Sequence, residues 1–210
     1  MNQPCLKLTA YFGERQRVLG DDKRFLADAM FDVFGSRDVA TSVMLRGIAS
    51  FGASHELRTD VSLSLSEDPA VAIAAVDVEP KIRSLVDEVA AMTGRGLVTL
   101  ERARLVTRQR GAPDDVGDHN GDAAKLTVYV GRQERIAGKA AYYAVCQLLH
   151  QLGFAGAIAL LGVDGTAHGE RYRAKFFGRN VNVPMMIIAV GSTAQVSAAA
   201  TELAAASRLC

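Results

Sequence analysis

The chain has 210 residues, of which 49% are hydrophobic and 22% charged, with a formal net charge of +1. That composition excludes a disordered chain and gives no clustered basic excess for nucleic acid or an anionic membrane. Cys5, Cys146 and Cys210 are odd in number and too scattered for a disulfide framework or a Cys-x-x-Cys site.

The N-terminal stretch MNQPCLKLTAYF lacks the basic start and apolar run of a signal peptide. No apolar segment approaches the roughly 18 residues a membrane helix needs. Both readings lead to the expectation of a cytoplasmic, reduced protein.

Lys7–Gly20, KLTAYFGERQRVLG, returns as Lys125–Gly138, KLTVYVGRQERIAG. The repeat continues: Gly35 is matched to Gly153, three fewer residues then bring Gly47 into line with Gly162, and Pro69 falls opposite Pro184. LKLTAYF reads as a strand ending at Gly13. Asp21 and Asp22 suit a helix N-cap, after which Phe25, Leu26, Ala29, Met30, Val33 and Phe34 recur at helical spacing. TSVMLRG is a second strand and AVAIAAVDV a buried third. Glu79 and Pro80 open a second helix with Ile82, Leu85, Val86 and Val89 as its apolar stripe. GLVTLERARLV supplies a fourth strand.

In the second copy KLTVYV, AIALLG and PMMIIAV are the strands, and Val196, Ala199, Ala200 and Leu203 mark the last helix. The chain stops at AAASRLC before an equivalent of the fourth strand. The β-α-β-β-α-β order predicts an α+β fold: two tandem ferredoxin-like domains, the second lacking its last strand. They span residues 5–110 and 124–210, with a polar linker at 111–123. In this fold both helices lie on one sheet face, so the other face needs a cover.

Two stretches of the first copy invite function. Leu45–Pro69 is too long for a tight hairpin, although Val61, Leu63 and Leu65 alternating with serines also fit an extended two-stranded ribbon. Met92–Glu101 places Gly94 and Gly96 around Arg95, which allows an anion-binding nest of backbone N–H groups; a helix C-cap glycine is the plainer reading.

KLTAYFGERQR, LRGIASFG, LSEDPAVAIAAVD and GLVTLERARLV, in that order, resemble the bacterial family catalogued as domain of unknown function 190, similar to PII-type (nitrogen regulatory) signalling proteins. The resemblance covers nearly all of the first copy and the second through its third strand and into its last helix. It implies trimers whose sheets face inward, with an adenine nucleotide or similar anionic effector bound in inter-subunit clefts, ordering a loop that touches a protein target. On this resemblance Gly47, Phe51 and Gly52 form the loop base, Thr93, Gly94, Arg95 and Gly96 the phosphate-facing turn, and Arg104, with Arg102 and Arg108, the basic contribution of the last strand. Family members are often encoded near fluoride exporters, so a membrane transporter is among the implied targets. In the second copy SFGAS becomes GTAHG and the turn is missing, so that copy is expected to be structural.

Two other classes are weighed against this one. A metal-binding module, similar to the copper-tolerance protein CutA, would rest on His168-x-Glu170, the nearest approach to a ligand pair; His55, His119 and His150 form no chelating pair. A scaffold would assemble without a ligand. No nucleophile elbow, Walker loop or metalloprotease helix is present, and Glu14, Asp60, Glu67 and Asp68 have no evident acid–base partners, so no catalysis, no resident cofactor and no metal are expected.

Overall fold

The computed structural model describes residues 4–47, 49–50, 58–59, 70–94, 96–104, 123–167, 169–173 and 183–206. The elements in chain order are β1 (Pro4–Gly13), β2 (Arg17–Val18), β3 (Asp21–Phe25), α1 (Leu26–Ser36), β4 (Thr41–Arg46), β5 (Ala49–Ser50), β6 (Arg58–Thr59), β7 (Ala70–Val78), α2 (Glu79–Thr93) and β8 (Leu97–Arg104). They continue with β9 (Ala123–Gly131), β10 (Arg135–Ile136), β11 (Lys139–Ala140), α3 (Ala141–Gln151), β12 (Ala157–Ala167), β13 (Glu170–Arg171), β14 (Pro184–Ser192) and α4 (Thr193–Ala206). The chain is α+β, two ferredoxin-like arrangements in tandem, and no strand follows α4 among the described residues.

The chain divides into two compact units, and the division does not follow the repeat boundary. One holds Pro4–Ala103 together with Gly162–Arg173; the other holds Met1–Gln3, Arg104–Leu161 and Ala174–Cys210. Expectation assigned all of 124–210 to the second domain. The difference arises at β12, which runs past the predicted end at Gly162 as far as Ala167.

In the first unit the strands run β8-β1-β7-β4, completed by the end of β12. β1 and β7 are antiparallel, with Cys5 opposite Val78 and Gly13 opposite Ala70. Alternation directs Leu6, Leu8, Ala10 and Phe12 of β1, with Val71, Ile73 and Ala75 of β7, into one core. Leu26, Met30 and Phe34 of α1 and Ile82, Leu85 and Val89 of α2 meet them there. Each such side chain contributes about 1.5–3 kcal/mol when fully buried. Phe31 and Phe34 pack edge to face at 6.4 Å. Pro80 stands in the first turn of α2, where its missing N–H costs nothing.

The second unit repeats the plan with β9, β14 and the first half of β12, antiparallel, against Val145 and Leu149 of α3 and Val196 and Ala199 of α4. The apolar stripe of α4 is buried at Val196, Ala199 and Ala200 as its spacing predicts.

The start of α1 differs from expectation. Asp21 and Asp22 lie in the β2–β3 hairpin, and Asp21 Oδ1 accepts the Lys23 N–H at 3.0 Å. Such a side-chain bond two residues on is the turn-forming use of aspartate, and here it wins over capping. Phe25 occupies the N-cap position without a side-chain cap, and the Arg17 guanidinium stands 3.5 Å over its ring.

The repeat alignment shifts for the same reason. At the ends of α1 and α3, Val39 N–H bonds Phe34 O and Phe154 N–H bonds Leu149 O. Asp38 and Gly153 both have positive φ, 47° and 74°. Gly153 therefore matches Asp38, not Gly35, and the three missing residues fall in β11, which has 2 residues where β3 has 5. The pairing of Gly47 with Gly162 is unaffected.

Candidate functional site

The antiparallel register gathers several chain ends at one corner of the first unit. Gly13 closes β1 opposite Ala70, and the Ala70 carbonyl accepts the Gly47 N–H at 2.8 Å. The end of β4, where the long connection begins, is thus tied to the start of β7, where it returns. Arg46 and Glu14 form an ion pair there.

The α2–β8 turn reaches the same corner through the hairpin after Gly13. The Gln16 side-chain amide donates to the Thr93 carbonyl, and Leu19 N–H donates to Met92 O at 3.3 Å. Gly94 is the C-cap of α2 with φ 56°. Gly96, at φ 150°, lies so close to β1 that a Cβ would stand 2.6 Å from the Tyr11 carbonyl oxygen and 2.9 Å from Thr93 Cγ2. The C-cap and the close backbone approach account for these glycines without a ligand.

Of the residues carried by the resemblance, Gly47, Thr93, Gly94 and Gly96 therefore share one corner. Thr93 is buried and its hydroxyl donates to Val89 O at 2.6 Å, so it faces the helix in this structure. Arg104 sits elsewhere. Tyr11 lies beside Gly96, Thr9 beside Thr99, and Lys7 pairs with Glu101 at 3.3 Å, so β8 runs antiparallel to β1 away from the corner. Seven steps at about 3.3 Å put Arg104 roughly 23 Å from the Leu97 end of the strand. Phe51, Gly52 and Arg95 lie outside the described residues. So does most of the Leu45–Pro69 connection, although Ala49 pairs with Thr59 and Ser50 with Arg58 in a short ribbon.

Among the described residues no group of three His, Cys, Asp or Glu side chains is placed to hold a metal. Glu170 accepts the Tyr172 hydroxyl at 2.5 Å, His150 is exposed on α3, and His168 lies outside the described residues. Glu14 is engaged by Arg46.

Sequence reasoning missed the most elaborate polar cluster. The far half of β12 adds to β4, with Gly162 opposite Leu45 and Ala167 opposite Thr41. There the Ser42 and Thr166 hydroxyls share a 2.7 Å hydrogen bond. Asp164, 1% exposed, accepts from Arg171 Nη2 at 2.7 Å and from Arg173 Nε at 2.8 Å. Both arginines also reach Asp28 of α1, at 2.6 and 2.5 Å. Arg171 stands 4.8 Å over the Phe31 ring. Burial pushes the Asp28 carboxyl up, but the Arg171 hydrogen bond and the two guanidinium charges outweigh it and hold it below the usual carboxylate range. Burial likewise works against the Arg171 charge, and its bonds to Asp164 and Asp28 more than offset it. The available signal was alternation in GVDGTA, with Arg171 and Arg173 two apart, but its partners are more than 100 residues away.

No curated protein matches the chain. Among solved structures, one named as a candidate chlorite dismutase is similar at 12% identity, covering 100% of this chain and 89% of its own, with a TM-score of 0.32. A family model matches residues 5–105 and again 123–208, and the chain accordingly belongs to the family known as domain of unknown function 190, described as an uncharacterized ACR.

Proposed function

We propose that the chain is a cytoplasmic PII-like signalling protein without catalytic activity. It binds a small anionic effector, in the first instance an adenine nucleotide, at the corner formed by Gly47 and the Thr93–Gly96 turn. The observation that supports this reading is the convergence of the loop base and the glycine turn through Gly13, Ala70 and Gln16. A ligand seated there touches both ends of the loop's support, so it can favour one loop arrangement over another and change what a partner, such as a membrane transporter, sees. Arg104, at the far end of β8, takes part only from an adjacent copy, which fits a trimeric or pseudo-trimeric ring with clefts between subunits.

Calorimetric titration with ATP, ADP, AMP and cyclic AMP tests the reading. Saturable binding is expected, weakened about 10- to 100-fold by Arg95→Ala, the loss of one charge-assisted hydrogen bond. No heat and no thermal stabilisation by any of the four at millimolar concentration overturns it.

A further inference from the structure

A phosphate bound at the corner needs a cation within reach, and the arginines of the first unit are held in different ways. Arg17 is committed: its guanidinium lies 3.5 Å over the Phe25 ring, and Nη1 donates to the Lys23 carbonyl at 3.1 Å. Arg104 stands at the far end of β8. Arg46 is placed at the corner itself. It closes β4 opposite Val71, one residue before Gly47, and Val71 in turn faces Phe12 across the β1–β7 pair. Alternation along β4 puts Arg46 on the same sheet face as Met44, which belongs to the core formed with α1 and α2. Its side chain therefore leaves the sheet on the side where α2 ends and the Thr93–Gly96 turn begins.

Glu14 meets Arg46 there. Its carboxylate stands in the Gly13–Gln16 turn, which is closed by the Gln16 N–H on the Gly13 carbonyl at 2.9 Å, and Gln16 is the residue that docks on the Thr93 carbonyl. One short turn thus carries both a tie to the α2–β8 connection and the acid that neutralises the cation beside the loop base. The side chain of Arg46 is 52% exposed and that of Glu14 25%, so the pair is screened by water and adds little to stability. An acid kept beside an anion site also opposes the anion by direct repulsion. Both facts fit a contact that competes with the ligand.

We propose that Arg46 holds the effector's phosphate and that Glu14 keeps it in reserve, so that their ion pair is an autoinhibitory contact the effector must displace. The inference rests on the effector reading of this corner. A guanidinium fork suits a phosphate as well as a carboxylate, so the two acceptors exchange on the same donors. Only molecules in which Arg46 is released can bind, and the apparent affinity is reduced by that fraction. The exchange also reaches the loop. Arg46 precedes Gly47, whose N–H is bonded to the Ala70 carbonyl, so moving its side chain from Glu14 to a phosphate unties the start of the long connection from the turn after β1.

Titration of the full chain with ATP, ADP, AMP and cyclic AMP, repeated in three variants, tests it. Glu14→Gln removes the competitor and is expected to tighten every nucleotide that binds the wild type, by about 2- to 5-fold. A gain of this kind cannot come from misfolding. Arg46→Gln is expected to weaken the same nucleotides about 10- to 100-fold, with circular dichroism verifying the fold. The reversed pair Glu14→Arg/Arg46→Glu keeps an ion pair, so its Tm should stay within about 2 °C of wild type while its binding falls as in Arg46→Gln. With the wild type binding, an affinity unchanged in either single variant, or retained in the reversed pair, overturns the proposal and leaves the corner reading in place. A wild type that binds none of the four overturns both.

Discussion

Replacing Asp164 with alanine tests whether the far half of β12 is an integral strand of the first unit. The buried carboxylate accepts from Gly165 N–H at 2.9 Å, from Arg171 Nε at 3.2 Å and Nη2 at 2.7 Å, and from Arg173 Nε at 2.8 Å. Breaking a fully buried ion pair from one side costs about 3–5 kcal/mol, because the surviving charge stays uncompensated. Here the loss is smaller. The side chains of Arg171 and Arg173 are 25% and 56% exposed, and Asp28 still holds both. Discounting for that screening leaves about 2–3 kcal/mol. At about 2–4 °C per kcal/mol for a chain of this size, Asp164→Ala lowers Tm by about 4–12 °C. Hydrogen exchange should show the amides of Gly165–Ala167 and their β4 partners losing protection before those of β1 and β7. The double cycle with Arg171→Ala should give a coupling of about 1–2 kcal/mol. A Tm shift within 1 °C, or additive single effects, refutes the assignment of this cluster as a structural clasp.

Asp28→Asn should cost about 1 kcal/mol at neutral pH in chemical denaturation, modest because the carboxylate is partly exposed. The folded pKa of Asp28 is depressed, so its contribution is fully present above the unfolded value and lost as pH falls through the folded one. The difference between wild type and variant should therefore hold from neutral pH down to the usual carboxylate range and close below it; a constant difference at lower pH contradicts the pairing. Gly96→Ala should destabilise by about 2–4 kcal/mol, since both the backbone conformation and the Tyr11 carbonyl oppose a Cβ. Gly138→Ala, at φ 80° with open space around it, should cost only about 1 kcal/mol; equal losses at the two sites would mean that the approach to Tyr11 is unimportant.

Much of the fold was legible because local pattern and burial agree. β7 is apolar from Ala70 to Val76 and buried over most of its length, and α2 is announced by Glu79, Pro80 and its stripe. The start of α1 was misread because aspartate serves a turn as readily as a cap, and only the β2–β3 pairing decides between them. The far half of β12 lies beyond the strand read as AIALLG, and nothing local announces it because its partner, β4, is remote in sequence. At the candidate site, the family resemblance could suggest that Gly47 and Gly94 belong together, but only strand direction reveals that Arg104 lies at the opposite end.

The excursion of Gly162–Arg173 into the first unit also governs how the protein is made. On the ribosome, Pro4–Ala103 emerges as a nearly complete unit but must wait for its last strand roughly seventy residues later, several seconds at about 5–20 residues per second. During that interval the edge of β4 is open to any passing strand. A gene trimmed to its first repeat would make that vulnerable interval permanent, because the strand that closes the β4 edge belongs to the second repeat.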